Sequence, residues 1–557
     1  MKFRHNAILK DDPLAGVADP EKKVDSDGKV MESEEMTIVQ HMHNHRRLNP
    51  RQIQLLAIAG TIGAALFVGI GGSLRDGGPL NLVLGYSVWA SVIYATALCQ
   101  AEMVTLLPLD GSFIRLAGRF VDESYGMAAG YNYAFSQAAL VCFEINIFNT
   151  VIRYWNDSIH EAVFISVLIV LYFLLNIWSV SIFGEIEFWL AIGKVGLIFA
   201  LLFYTIITML GGNPMGDRYG FRYWREPRLM NEYIGTGDLG RFQGFLACII
   251  GAAFVIAGPE YISMVAGEAR NPRKTMPKAF ISIIYRLVFF FVIGAICVGI
   301  VCPSDAPNLM GALGPSAANS PYVVSMRRLG ITVFPDVVNA LILTSILSAG
   351  NSYVFGTSRA LYSLALAGQA PSFMRRLNRN GVPYVCVIIT MCIACLSYLS
   401  VSAGTARVLS WWISLVTASQ LLNWIFMSTT WLRFNNAMKA QGLDRKVFLP
   451  YRSRLQPYAA WYAFIMSFCV LIISGYTLFY PGAFKTDLFI FQYGMIFIVM
   501  AVFIGWKVVK RTRFFRGTEV DLHSDLAEID AYTADYNARQ EAKPPRSRTR
   551  RCFDAIW

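Results

Sequence analysis

Apolar runs of eighteen or more residues recur along this chain. Each is long enough to cross a hydrocarbon core of about 30 Å as a helix. The reading is an all-α integral membrane fold with twelve transmembrane helices, near 53–74, 80–106, 126–152, 161–180, 186–210, 242–268, 281–303, 335–365, 384–401, 407–432, 458–480 and 486–507. Length would otherwise suggest several soluble domains. Only 15% of the 557 residues are charged, against roughly 25% in soluble domains, and that overrides the length.

The net charge is +12. A nucleic-acid binder would need a continuous basic face. Here the Lys and Arg sit in short loops between apolar runs, which is a signature of membrane topology. Their excess falls on the loops that share a side with the N-terminus, so both termini read as cytoplasmic and the partner surface as the lipid bilayer. The arginine-rich stretch 211–241 is the exception, and it also carries acids. Residues 1–50 read as a disordered tail without a cleavable signal peptide. The HMHNH at 41–45 reads as solvated, not as a metal site. In the polar tail 508–557, EVDLHSDLAEIDAYTADY reads as a short acidic amphipathic helix. The C-x-x-C of Cys392 and Cys395 lies in an apolar run without a partner pair, and reads as small-residue packing. No metal, cofactor or enzyme motif stands out.

Two of the runs are weakened in mid-span. The first contains GTIGAALFVGIGG, with five glycines in thirteen residues from Gly60 to Gly72. Each costs a helix interior about 1 kcal/mol relative to alanine. The sixth reads CIIGAAFVIAGPEYISMVAGEA, with Gly258 followed by Pro259, and proline removes a backbone donor. A broken helix leaves N–H and C=O groups unpaired at membrane depth, tolerable where they line a cavity or meet a ligand. Matching breaks in two halves point to a transporter with inverted repeats. Half-helix N-termini favour a carboxylate and carbonyl ends favour an ammonium. An α-amino acid presents both.

The words around these breaks resemble the fungal amino-acid permeases of the amino acid–polyamine–organocation superfamily. They are LNPRQIQLLAIAGTIGAALFVGIG, GRFVDESYGMAAGYNY, GEIEFWLAIGKV, AGEARNPRKTMPKA, SAGNSYVFGTSRALYSLALAGQAP and NNAMKAQG. GGNPMGDRYGFRYWREP, GVPY and RGTEVDL look most like the dicarboxylic amino-acid permease branch. The resemblance implies two inverted five-helix repeats, about 51–210 and 242–432, plus two C-terminal helices within 458–507. Helices 1 and 6 would be discontinuous. Substrate would sit between those two, against the third, eighth and tenth. The matching positions are Thr61, Ile62, Gly63, Ala64 and Ala65; Phe254, Val255, Ala257, Gly258 and Glu260; Glu144; and Ser348. Asn351, Ser352, Trp411, Trp412 and Ser419 are further pocket candidates.

The family pattern I-G-T-G-L-F is Ile62-Gly63-Ala64-Ala65-Leu66-Phe67 here, and Val255 replaces a serine. Alanine keeps its N–H for a carboxylate but does not readily take φ > 0, so the local turn is expected to differ.

Ionisable residues inside the membrane are functional candidates by default. Lys194 stands in FWLAIGKVGLIFALLF. A lysine enclosed by apolar helices can trade its proton, and the resemblance places a lysine there in proton-coupled relatives. Lys194 and Glu144 are therefore the proton-coupling candidates. Glu260 reads equally as a cap of the broken helix and as a substrate contact. Glu102, near the end of the second span, reads as structural.

The expected function is proton-coupled import of amino acids across the plasma membrane, acidic ones first and neutral ones with them. The lost polar contacts motivate an alternative, a permease-like sensor with little transport. A neutral or broad-specificity permease is the other alternative. Lys22, Lys23 and Lys29 are candidates for ubiquitination, with ubiquitin-ligase adaptors as partners of the tails.

Overall fold

The computed structural model describes residues 60–542 except 110, 157, 179, 227, 308 and 310–319. The N-terminal tail, with its histidines and lysines, lies outside the described residues, as does Cys552. Among the described residues the chain is helical without strands. The principal helices in chain order are α1 (Ala65–Leu106), α2 (Ser112–Phe120), α3 (Glu123–Ile152), α4 (Glu161–Trp178), α5 (Val180–Met209), α6 (Gly237–Val255), α7 (Pro259–Met264), α8 (Pro272–Val301), α9 (Phe334–Leu366), α10 (Tyr384–Ala403), α11 (Thr405–Ala440), α12 (Tyr458–Phe479), α13 (Thr486–Lys510) and α14 (Leu526–Glu541).

Eleven helical runs among the described residues are long and apolar enough to cross a membrane. The expected first and second spans are not separate: they are joined in the 42-residue α1. At 1.5 Å per residue a straight helix of that length would be about twice the bilayer core. The run instead folds back at Gly78, where φ is +78° and Pro79 follows. Ser73 Oγ lies 3.5 Å from Tyr86 Oη, although thirteen residues of straight helix would separate them by about 20 Å. Contacts with α6 retrace in the same way. A Cβ on Gly251 would meet Ser73, whereas the Cys248 side chain lies against both Gly77 and Gly85. The turn needs its glycine twice over, for the positive φ and because a Cβ would stand 2.9 Å from the Arg228 carbonyl.

The arginine-rich stretch caps this turn. Leu80 N–H donates to Leu229 O at 3.2 Å, and Asn231 N–H to Gly77 O at 2.9 Å. Three of its arginines are paired, Arg222 with Asp217 and Arg241 with Glu226 inside the stretch, and Arg228 with Asp305 beyond it.

At the other end of the bundle the C-terminal segment packs against α2 and the start of α8. Arg119 binds Asp521 and Asp525 at 2.9 and 2.7 Å, and Arg273 binds Asp530 at 2.5 Å. Tyr532 donates to the Arg270 carbonyl at 2.7 Å. The expected acidic helix is α14. Its buried Ile529 and Tyr532 sit one turn apart, which is the apolar side of an amphipathic element. Cys392 and Cys395 differ from expectation: both are exposed on α10, facing outward. Glu102 is buried, accepts from Trp431 Nε1 at 2.9 Å and Ser453 N at 2.7 Å, and is paired with Arg445. It joins α1 to the end of α11 and the loop after it.

Candidate functional site

Both breaks are present. The helix interrupted at Ile62 and Gly63 resumes as α1 at Ala65 in a π-helical turn, Ala65–Gly69. The sixth span stops at Val255 and restarts at Pro259. The breaks adjoin, since a Cβ on Gly258 would stand 3.7 Å from Thr61 Cγ2. Farther along the same helices, Gly69 lies against Phe254 and Val255.

The freed backbone groups have side-chain partners. Ala64 N–H donates to Glu144 Oε1 at 3.2 Å, and Ile62 O accepts from Ser345 Oγ at 3.4 Å. Gly258 N–H donates to Glu260 Oε1 at 3.3 Å, while Trp424 Nε1 donates to Oε2 at 3.3 Å. Each break is thus capped by a buried carboxylate, one supplied by α3 and one from its own chain. Ala64 has φ −56° and Ala65, which stands at the second family glycine, is not among the described residues with positive φ, so neither methyl costs backbone strain. The Ala64 N–H is not open as expected, because it is held by the Glu144 carboxylate. Glu144 Oε2 is buried without a hydrogen-bond partner.

Behind Glu144 lies a charged cluster. Lys194 is buried and interacts electrostatically with Glu187 and Glu144. Glu187 accepts from Ser348 Oγ, and Asn351 Nδ2 lies 3.5 Å from its other oxygen. Asn351 Oδ1 in turn accepts from Asn176 Nδ2 at 2.7 Å. Ser348 therefore serves this cluster through Glu187. Glu187 was missed by sequence reasoning, though a signal existed. It precedes Lys194 by seven residues, two turns, on the same helix face.

Trp411 stacks on Phe491 at 4.9 Å, and Ser419 donates to Asn132 at 3.0 Å. These two residues join α11 to α13 and α3, and neither contact involves the breaks. Trp412 also lies against Phe491.

Two cavities flank the breaks. One, of about 700 Å³, is lined by Gly69, Arg75, Asn149, Arg153, Gly251 and Phe254 among others. The second, of about 590 Å³, is lined by Gly60, Arg115, Tyr133, Tyr261, Glu268 and Arg359 among others. On every element that reaches both, the residues are sorted along the chain: 69–76 against 60, 149–150 against 133, and 247–254 against 261–264. What lies between is the two breaks and Glu144. Phe254 closes the floor of the first cavity, packed edge-on against Phe143 at 5.0 Å. The two vestibules are separated by a partition of interrupted helix.

The amino acid permease family matches residues 52–516. The chain belongs to the amino acid permease family. Relatives of this permease include the general amino acid permease AGP2 of Saccharomyces cerevisiae, 40% identical over 93% of this chain and 88% of that one. A proline-specific permease of Emericella nidulans is 38% identical over 90% of this chain and 92% of its own. The dicarboxylic amino acid permease of Saccharomyces cerevisiae is 35% identical over 86% of this chain and 79% of its own. These identities place the permease among fungal amino-acid transporters and do not single out the dicarboxylic branch. It is a multi-pass membrane protein.

Proposed function

We propose that this permease is a proton-coupled symporter that imports amino acids across the plasma membrane, with both termini cytoplasmic. Residues 51–507 are its transporter domain, built from two inverted five-helix repeats and two further helices. One observation carries the coupling. The Ala64 N–H at the first break is held by Glu144, and Glu144 interacts with the buried Lys194. A substrate carboxylate arriving at this N–H displaces Glu144 and adds a negative charge to the Lys194 and Glu187 cluster. A proton entering with the substrate offsets that charge, so the two are carried together. The substrate ammonium lies at the carbonyls of the breaks, so it does not offset the charge added beside Lys194 and Glu187.

The groups touching the breaks are carboxylates, hydroxyls and aromatic rings, with Lys194 as the cation behind them. A substrate with a second carboxylate would face Glu144 and Glu260 there. This favours amino acids with neutral side chains, with acidic ones as the second reading. Val255 in place of a serine adds apolar surface on the same side.

The test is uptake of each radiolabelled common amino acid into cells lacking their own permeases, at acidic and at neutral external pH. Expected is uptake of neutral amino acids that rises at acidic pH and is lost in Lys194→Ala. Uptake blocked best by aspartate would move the acidic reading forward. Well-expressed surface protein with no uptake of any amino acid would sink the transporter reading and leave the sensor.

A further inference from the structure

The two vestibules differ in charge. In the first, Arg75 is paired with Asp76 at 2.6 Å and Arg153 with Glu161 at 2.8 Å. Its arginines are neutralised. In the second, Arg359 makes no ion pair among the described residues and its Nε is buried without a hydrogen-bond partner. Its guanidinium lies 4.9 Å from the centre of the Phe355 ring. A guanidinium stacked on a ring is held flat, and its edge stays available as a fork of donors that matches a carboxylate. Arg115 adds a second positive charge to the lining and Glu268 one negative charge. The volume, about 590 Å³, lies within the range of small-molecule sites.

The vestibule reaches the breaks at Gly60, Tyr261 and Ser352, and Arg359 lies at its far end. Arg359 follows Ser352 by seven residues of α9, about 10 Å of helix rise. Ser348, which reaches the Glu187 cluster, is a further turn away.

We propose that the Arg115 and Arg359 vestibule is a second amino-acid site, in which Arg359 holds the carboxylate in a bidentate pair. The inference rests on the transport reading only for its consequence. Occupied from the Arg115 face, the site holds amino acid beside the partition, so transport from that face half-saturates at a lower concentration than it would without the site.

The experiment has two arms on the full-length purified protein. The first is equilibrium binding of each radiolabelled common amino acid, and of the carboxamide of the one bound best. Expected are two sites per chain in the wild type and one in Arg359→Gln, with the second site weakened at least about tenfold for the carboxamide. Arg359→Lys, which keeps the charge but not the fork, should fall between. A single site in the wild type, or two sites unchanged in Arg359→Gln, overturns the inference. The second arm measures transport KM from each face in oriented membrane vesicles. Expected is a KM raised at least about tenfold from the Arg115 face alone in Arg359→Gln. An equal change from both faces overturns the inference in favour of a general folding role. Two binding sites without transport from either face would remove the transport reading and leave the site.

Discussion

The two breaks solve one problem in different ways. At the second, Glu260 is two residues from the N–H it caps, and its other oxygen is held by Trp424. Both oxygens are committed, and the cap travels with its own helix. At the first, the cap comes from α3, eighty residues away, and its second oxygen is uncommitted. A local, fully bonded carboxylate is a structural brace. A distant, half-bonded one beside a lysine can change partners. The difference assigns the two glutamates separate duties, although both stand at equivalent interruptions.

Four experiments would break or sharpen this contrast. Lys194→Ala should have the largest effect. Removing one partner from a buried charged group costs about 3–5 kcal/mol, so proton-driven uptake should fall more than about a hundredfold. Residual uptake that no longer responds to external pH would still fit, whereas an unchanged pH response would end the coupling role. Gly63→Ala comes next. Its Cβ would stand 2.3 Å from Glu144 Oε1, so the carboxylate must leave the Ala64 N–H, and uptake should fall more than about tenfold with surface expression retained. Normal uptake in this variant would mean the Glu144 cap is dispensable.

Third, the paired variants Glu144→Gln and Glu260→Gln should differ in kind. Glu144→Gln keeps an acceptor for Ala64 but removes the charge facing Lys194. It should alter the pH profile of uptake more than stability. Glu260→Gln leaves one of its two donors without an acceptor, costing about 1–3 kcal/mol in thermal stability with the pH profile unchanged. Identical behaviour of the two would erase the distinction. The smallest effect is expected for Arg119→Ala. Its partners Asp521 and Asp525 are exposed, and such pairs contribute about 0–1 kcal/mol each. The melting temperature should move by a few degrees at most, with uptake from the Arg75 face unaltered.

Legibility followed sequence distance. Both interruptions could be located, because glycine and proline act on the residues beside them. Glu144 and Lys194 drew notice because a charge in an apolar run has few innocent explanations. Glu187 did not, as it sits near the start of its span where a carboxylate is unremarkable. Its importance comes from Ser348 and Asn351 on α9. Ser348, expected against substrate, donates to Glu187. Trp411 and Trp412 were read as pocket residues, and their contact with Phe491 of α13 reflects packing of two spans whose neighbourhood no periodicity reveals. The hairpin at Gly78 was legible as two spans, but not as one helical run turned on a single glycine.

The sequence by itself determined the solvent and the interruptions. Continuous apolar runs admit only a membrane, and Gly63 and Gly258-Pro259 weaken helices wherever those helices pack. Tertiary structure decided which side chain fills each gap, which arginines stay neutralised and where the partition between the vestibules falls. Those outcomes depend on contacts between helices far apart in the chain, Glu144 with Ala64 and Ser348 with Glu187. A buried polar group is costly unless paired, and only the packed bundle brings the partners within reach.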